Sequence, residues 1–312
     1  MTYRIYDYSN THVFHRKALL NAIERVNTEF KMDEDVLVIV STRNMLKALP
    51  LVMLTRQKTV VNIVGFGRLF SSFGVIGRII FNTVVRLYGR RSTKAFIVEH
   101  DADRAYLECL TAAPVFKSHG SGLDVEGFTR DPKPKGKRLR LGYLSRFHRS
   151  KGSDQIIDVA KALPDDRELI IAGWDVSGNK FAKAFQAIAE NKSNVKFIGK
   201  LNSRREVSIF FNDIDIFLSP SVREGGNISL QEGIWHHVPF VTTDSPGCEV
   251  LANIFNGYMV KIDNFADFVL HHVGLEGKEV CVKDWDALIQ PFLTKSVEDE
   301  LIEIFTKITK NR

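Results

Sequence analysis

The second half of the chain alternates strand-like and helix-like segments, and this alternation restricts the fold more than any other feature. Short apolar runs predict six buried strands, at 139–145, 168–174, 195–200, 214–219, 240–243 and 258–260. Helical patterns lie between or after them, at 153–163, 180–191, 204–212, 229–237, 248–254 and 264–273. Each strand–helix unit covers about 25–30 residues, a usual length for right-handed parallel crossovers. The pattern predicts an α/β domain with a doubly wound parallel sheet.

The first half shows the same alternation in a weaker form. Apolar runs predict parallel strands at 36–41, 59–64, 95–99 and 115–118, and helices are expected at 17–30 and 75–88. No G-x-G-x-x-G follows a strand, so the fingerprint of nicotinamide and flavin sites is absent. The segment 131–138 contains two prolines, one glycine and four cations, which indicates an extended linker. We therefore predict domains at 1–130 and 139–295 and a C-terminal helix at 296–312.

Composition and charge limit the class of protein. With 44% apolar and 26% charged residues, the chain of 312 residues is neither disordered nor fibrous. Three scattered cysteines and an N-terminus without an apolar core predict a cytoplasmic protein. The net charge of +6 is uneven, because ten basic residues and no acidic residue lie between Asp35 and Glu99. Such a field attracts anionic partners: a membrane surface, a phosphorylated substrate or nucleic acid.

Candidate binding residues follow the predicted strands, where open α/β sheets bind their ligands. Arg146 and Lys151 lie on the turn after the first strand of the second half. Five residues apart, they could hold one anion from two sides, and the next helix would add backbone donors. Taken alone, this pair is better explained as two solvated loop cations.

A second cluster, Pro-Ser-Val-Arg-Glu-Gly-Gly-Asn-Ile-Ser-Leu-Gln-Glu at 220–232, follows the fourth strand. Its glycines let backbone amides approach a ligand, and Asn227 or Ser229 can cap the next helix. Glu224 and Glu232 would be about 12 Å apart along a helix. That exceeds the ~5–9.5 Å of most glycosidase pairs. The spacing suits two carboxylates on different hydroxyl-bearing parts of one elongated ligand; two surface carboxylates are the simpler alternative.

Together and in this order, these motifs resemble the donor half of retaining GT-B glycosyltransferases of group 1, the family 4-like enzymes. The matching pieces are a Gly-x-x-x-Arg…Lys-Gly frame at 142–152, Val-Lys-Phe-Ile-Gly at 195–199, Pro-Ser-x-x-Glu-Gly at 220–225 with the later Glu232, and Gly-Ser-Gly-Leu-Asp at 120–124. The resemblance implies an α/β fold of two Rossmann-like domains facing across a cleft. Here the N-terminal acceptor domain would be shortened.

The resemblance also implies an activity and a role for each matching position. A sugar, hexosyl or N-acetylhexosaminyl, would move with retention from a nucleotide diphosphate sugar, most often a UDP-sugar, without a metal or cofactor. Arg146 and Lys151 would hold the diphosphate, Glu224 would contact the transferred sugar, and Glu232 would bind the ribose hydroxyls. The further donor-binding positions are Gly142, Gly199, Gly225, Gly226, Asn227, Ile228 and Ser229.

The first half departs from the family pattern. Val64 stands where members often carry a histidine that faces the donor sugar, and His12, His15 or His119 would have to substitute. The stretch 65–91 nevertheless resembles members that extend undecaprenyl-diphosphate-linked saccharides. Its candidate acceptor and membrane residues are Gly65, Gly67, Arg68, Arg86, Arg90 and Arg91.

The same stretch alternates large apolar residues with cations, so it can form a basic amphipathic helix. We expect it to bind the anionic inner face of a membrane peripherally, where a saccharide on a polyprenyl diphosphate would be the acceptor. A core helix with a solvated basic edge is the alternative. Nucleic acid is not an expected partner, because known aromatic–basic motifs are absent. A catalytically incomplete subunit with a protein partner, or a GT-B sugar-nucleotide epimerase, stays open as another function.

Overall fold

The computed structural model describes residues 2–6, 17–29, 35–55, 57–64, 67–90, 93–132, 136–175, 178, 180–222, 224, 226–273 and 284–310, with the backbone alone for 67–73. The chain divides into two compact units. The first comprises Met1–Asp124 and Pro291–Arg312, and the second comprises Val125–Gln290.

Strands and helices alternate along both units. The described strands are β1 (Tyr3–Tyr6), β2 (Val36–Val40), β3 (Thr59–Ile63), β4 (Thr93–Val98), β5 (Val115–Lys117), β6 (Leu139–Phe147), β7 (Arg167–Asp175), β8 (Val195–Gly199), β9 (Ile216–Ser219), β10 (Phe240–Thr243) and β11 (Tyr258–Val260). The described α-helices are α1 (Lys17–Glu29), α2 (Thr42–Thr55), α3 (Gly67–Arg90), α4 (Asp101–Glu108), α5 (Ser153–Ala162), α6 (Lys180–Asn191), α7 (Arg204–Asn212), α8 (Ile228–Trp235), α9 (Pro246–Phe255), α10 (Phe265–His271), α11 (Trp285–Leu288) and α12 (Thr294–Lys310).

The first unit is a three-layer α/β structure. Its five strands are all parallel, in the order β1–β2–β3–β4–β5. Side chains alternate between the two faces, so Val38 and Ile97 pack against α1 and α12 on one side. Ile39 and Phe96 pack against α2, α3 and α4 on the other. Both faces of the sheet are therefore covered, as a parallel sheet requires.

The second unit is doubly wound. Its six parallel strands have the order β11–β10–β9–β6–β7–β8, so β6 and β9 are neighbours at the point where the chain reverses direction across the sheet. All six strands and six helices predicted for this half are confirmed, with small shifts at their ends. The strand order brings the turns that follow β6 and β9 together, at the edge where open sheets bind ligands.

The division between the units falls after Asp124, whereas the sequence placed it in the linker at 131–138. The segment before that linker packs on the second unit. The backbone N–H of Thr129 donates to Ser208 Oγ at 3.0 Å, and Asn212 Nδ2 donates to the Thr129 carbonyl at 3.1 Å. The Phe128 ring packs against His236, with centroids 5.1 Å apart. The C-terminal helix, predicted as a separate segment, belongs to the core of the first unit.

Several features of the first unit carry weak sequence signals and were not predicted. Strand β1 has only four residues, and α2 contains Pro50, which normally argues against a helix interior. Helix α3 begins eight residues before the predicted start at Val75 and is kinked at Gly74, whose φ is +49°. A kink at glycine lets one long helix follow two directions. Among the described helices, none has the length and apolar character needed to cross a bilayer.

Candidate functional site

The turn after β6 is held in place by its own hydrogen bonds. His148 Nδ1 accepts from the Ser150 N–H at 3.1 Å, and Ser153 Oγ accepts from the His148 N–H at 2.9 Å. The buried Tyr143 hydroxyl donates to the Lys151 carbonyl at 3.1 Å. These contacts order the backbone at Lys151. The entropy cost of binding a ligand there is therefore lower, because the turn is already ordered.

Gly152 allows this turn to approach the segment after β9. Its φ is +67°, in the left-handed region that favours glycine, and a Cβ there would clash with the Pro220 carbonyl oxygen. The Val222 N–H also donates to the Ser150 carbonyl at 3.0 Å. Backbone contact between the two turns is what brings the predicted cationic and acidic segments together.

Lys151 and Glu224 form a partly buried ion pair. Lys151 Nζ donates to Glu224 Oε1, and the Ser221 hydroxyl donates to the same oxygen at 3.0 Å. The two side chains are 20% and 9% exposed. These two residues were predicted to bind separate groups of a ligand, and their contact with each other was not predicted. An anion that binds Lys151 would have to share it with Glu224, or replace Glu224 as its partner.

The segment around Glu224 is anchored to the neighbouring strand and helix. The Glu224 carbonyl accepts from the Gly247 N–H at 3.2 Å, and the Thr243 hydroxyl donates to the Ser221 carbonyl. Thr242 Oγ1 donates to the Ser219 carbonyl at 3.0 Å. Residues of β10 and α9 therefore hold the carboxylate in position, although they were not among the predicted site residues.

Asn227 is the N-cap of α8, one of the two predicted possibilities. Its Oδ1 accepts from the Leu230 N–H at 3.2 Å, while Nδ2 donates to Ser219 Oγ at 2.7 Å and Cys248 Sγ at 3.2 Å. The buried side chain is thus fully used within the protein. The N–H groups of Ile228 and Ser229 lie in the first turn, where a helix supplies donors to an anion. Donor binding by these residues stays a prediction.

Glu232 lies one turn further along α8 and is mostly buried. Burial raises the pKa of its carboxyl to about 7, and the positive charge of Arg204 partly opposes that rise. Its backbone carbonyl is 2.7 Å from His236 Nδ1, and burial lowers the pKa of that histidine to about 4. A carboxyl whose pKa is strongly perturbed, at the ligand-binding edge of a sheet, is a candidate functional group.

The predicted glycines fall into different settings. Gly142 lies in the middle of β6, and a Cβ there would clash with Ile214, so close packing explains it. Gly199 ends β8 with a φ of +72° and open space around it, so its backbone conformation requires glycine. Gly226 is exposed before α8, and Gly225 lies outside the described residues. A donor contact by these glycines stays a prediction.

The acceptor-side candidates are only partly described. Arg86 and Arg90 are exposed on α3, and Gly67 begins that helix. The other candidates lie outside the described residues: Gly65, Arg91, His12, His15 and the side chain of Arg68. His119 is held by α12: its backbone N–H donates to Glu300 at 2.9 Å, and its ring packs edge-on against Phe292. These contacts give His119 a structural role. Within the described residues, no group of His, Cys, Asp and Glu could hold a metal ion.

Comparison with known proteins agrees with this description. Residues 125–271 match the family described as glycosyl transferases group 1. A curated relative, the putative glycosyltransferase EpsD of Bacillus subtilis (strain 168), is 25% identical over 197 residues, which are 54% of this chain and 50% of that protein. The alignment therefore spans half of the length of this relative.

Solved structures share the fold at low sequence identity. Sucrose-phosphate synthase from Thermosynechococcus elongatus superposes with a TM-score of 0.69 at 12% identity, over 96% of this chain and 80% of that one. Anabaena HepE in complex with UDP and glucose gives 0.66 at 14% identity, over 92% and 81%. The predicted fold class, α/β with two Rossmann-like units as in GT-B proteins, is confirmed.

Proposed function

Because residues 125–271 match the glycosyl transferases group 1 family, we propose that the protein is a glycosyltransferase that uses a nucleotide diphosphate sugar as its donor. The observation that carries the proposal is the contact of Lys151 with Glu224, beside the first turn of α8. It combines a cation, a carboxylate and backbone amides at the edge where doubly wound sheets bind ligands.

In a sugar-transfer reaction, the cation, the carboxylate and the backbone amides each have a defined role. The bond between the sugar C1 and the diphosphate oxygen breaks, and the diphosphate leaves with the electron pair. An acceptor hydroxyl oxygen bonds to C1 and gives its proton to the departing diphosphate oxygen. Lys151, Arg146 and the amides of α8 meet the charge that develops on the diphosphate, which is where preorganised donors accelerate a reaction most. When the diphosphate takes Lys151 as its partner, Glu224 is released to accept hydrogen bonds from the sugar hydroxyls.

The finer assignment follows the family resemblance. We assign the ribose hydroxyls to Glu232 and the reaction to a retaining, metal-independent hexosyl or N-acetylhexosaminyl transfer from a UDP-sugar. The UDP found with HepE, a protein of the same fold, supports that choice of nucleotide. We assign a saccharide on a lipid carrier as the acceptor. The exposed surface of α3 supports this assignment.

Helix α3 exposes an apolar stripe beside its cations. Val75, Ile76 and Ile79 are 72%, 66% and 59% exposed, and Ile80 continues the same stripe. Arg86 and Arg90 are exposed further along the helix. A basic amphipathic helix of this kind binds in the interface of an anionic membrane. We therefore propose that the first unit associates peripherally with the inner face of the membrane, where the acceptor is held.

A panel of nucleotide sugars tests the activity. We expect one of them, most readily a UDP-sugar, to raise the unfolding temperature, since a ligand at 100 times its Kd adds ~2.7 kcal/mol. With an acceptor extract, nucleoside diphosphate should be released and labelled sugar should enter a lipid fraction. Isomerised sugar in the absence of acceptor would instead indicate an epimerase. If no nucleotide sugar stabilises the protein or is consumed, the proposed function is wrong.

Membrane association has its own test, the sedimentation of the protein with vesicles. We expect sedimentation with anionic but not neutral vesicles, and less of it at 1 M salt, where the Debye length falls from ~10 Å to ~3 Å. The double variant Arg86→Ser and Arg90→Ser should sediment less, because each cation near the surface contributes about 1 kcal/mol. Arg205→Ser, an exposed arginine on α7, is the matched control. Equal sedimentation of the double variant and wild type would rule out this surface.

A further inference from the structure

Trp174 is an exposed aromatic residue at the ligand-binding edge of the second unit. It lies next to last in β7, and its side chain is 41% exposed, whereas Trp285 is buried. Its Cα partner on β6 is Arg146. Partners on neighbouring parallel strands point to the same face of the sheet. Trp174 and Arg146 therefore lie side by side on one face, at the ends of adjacent strands.

Lys200 shows that one face of the Trp174 ring is open to solvated groups. This residue follows β8, the next strand in the sheet, and its ammonium nitrogen is 5.3 Å from the ring centroid. The lysine is itself exposed. A hydrated cation over an aromatic ring gains only ~0.5–1 kcal/mol at an exposed site, so a ligand can displace it at low cost.

The ribose candidate lies close to the same region. Arg204 is the first residue of α7, four residues after Lys200, and its charge is near enough to Glu232 to oppose the rise of that carboxyl's pKa. The start of α7 thus lies near both the Trp174–Lys200 pair and Glu232. Strand spacing places Trp174 one strand, about 5 Å, from Arg146, and it places the end of β8, where Lys200 follows, about 10 Å from the end of β6. That separation is comparable to the length of a nucleoside diphosphate between its base and its terminal phosphate.

We infer that Trp174 stacks on the nucleobase of the donor and that Lys200 donates hydrogen bonds to the carbonyl oxygens of that base. The inference rests on the proposed function, because it assumes a nucleotide whose diphosphate lies at Arg146 and Lys151. Stacking alone tolerates any base, since every base has a π-face. Lys200 has only donors, so it favours the carbonyl oxygens of uracil and guanine over the exocyclic amino group of adenine, which is itself a donor.

Calorimetric titration with UDP, GDP, ADP and inorganic pyrophosphate tests the inference. Trp174→Ala should weaken UDP binding by roughly 5- to 150-fold, the range for loss of one base–aromatic stack, and leave pyrophosphate binding unchanged. Trp174→Phe, which keeps a ring, should retain most of the affinity. Lys200→Met should reduce the preference for UDP and GDP over ADP. Val250→Ala, an equally exposed apolar residue on α9, is the matched control.

The outcomes separate the inference from the function on which it rests. If the wild type binds UDP and Trp174→Ala binds it equally well, the stacking assignment is wrong and the proposed function stands. If the wild type binds none of the nucleotides, both are wrong. Iodide quenching gives an independent readout: UDP should protect the exposed tryptophan fluorescence of the wild type, and Trp174→Phe should have no such protectable fraction. Quenching that UDP leaves unchanged would contradict the inference.

Discussion

Replacing Lys151 with alanine is expected to weaken the binding of a nucleoside diphosphate by roughly 10- to 150-fold, because a charge-assisted hydrogen bond contributes about 1.5–3 kcal/mol. Binding of the nucleoside should change little, since the ammonium is assigned to phosphate alone. Arg146→Ala should have the same selectivity. Titration calorimetry with UDP and uridine measures both affinities. Lys183→Ala, an exposed lysine on α6 of the same unit, should leave both affinities unchanged.

Replacing Glu232 is expected to give a different pattern of affinities from replacing Lys151. Glu232→Ala should weaken the binding of nucleoside as well as nucleotide, because its assigned partner is the ribose. If Lys151→Ala weakened UDP and uridine to the same extent, the loss would come from a general change in the site and the phosphate assignment would be wrong. The variant also leaves the mostly buried Glu224 carboxylate without its cation, so a lower unfolding temperature is expected.

The second unit could be predicted closely from sequence because central strands such as β9 and β10 are buried on both faces and amphipathic helices separate the strands. Strands such as β10 read as continuous apolar or β-branched runs, and each following helix has its own periodicity. In the first unit, Pro50 obscured α2, and the four residues of β1 were too short for a clear pattern. The C-terminal helix was predicted, but its packing against α1 depends on tertiary contacts that periodicity does not report.

The site was predicted as separate residues rather than as a network. Asn227 was correctly one of two possible caps, because capping depends on a local turn. The Lys151–Glu224 pair joins residues 73 positions apart, and only the adjacency of β6 and β9 brings them together. Opposite charges after two strands that neighbour each other in a doubly wound sheet are the sequence signal that could have identified the pair. Gly142 fitted the predicted binding motif, and its close approach to Ile214 is a second reason for glycine that the motif does not report; a donor contact there stays a prediction.

The ion pair has a consequence for how the site changes when a donor binds. In a partly buried pair each charge neutralises the other, so removing either partner alone leaves an uncompensated charge and is costly. A diphosphate carries enough negative charge to replace Glu224 as the partner of Lys151. The carboxylate then needs new donors, and sugar hydroxyls can supply them. If the protein has the proposed function, binding of the diphosphate and engagement of the sugar are thereby coupled through one lysine.

Glu224→Gln tests this coupling, because it removes the charge of the side chain and keeps its size. We expect kcat on the sugar nucleotide to fall by roughly 100-fold, within the 10²–10³-fold typical for loss of one preorganised polar group in an active site. Binding of free UDP should be retained or become tighter, since the carboxylate no longer competes for Lys151. Steady-state kinetics and calorimetry on the same preparation measure both quantities.

A matched carboxylate separates a catalytic effect from a general effect of charge. Glu249→Gln, an exposed residue in the first turn of α9, should leave both kcat and UDP affinity unchanged. A Glu224→Gln variant with full turnover would show that this carboxylate serves only as the partner of Lys151. Reduced turnover together with weaker UDP binding would show that Glu224 holds Lys151 in place for the diphosphate. Only a loss of turnover with undiminished UDP binding assigns Glu224 to the sugar. If Glu224 instead positioned Lys151, neutralising the carboxylate would also weaken the binding of the diphosphate.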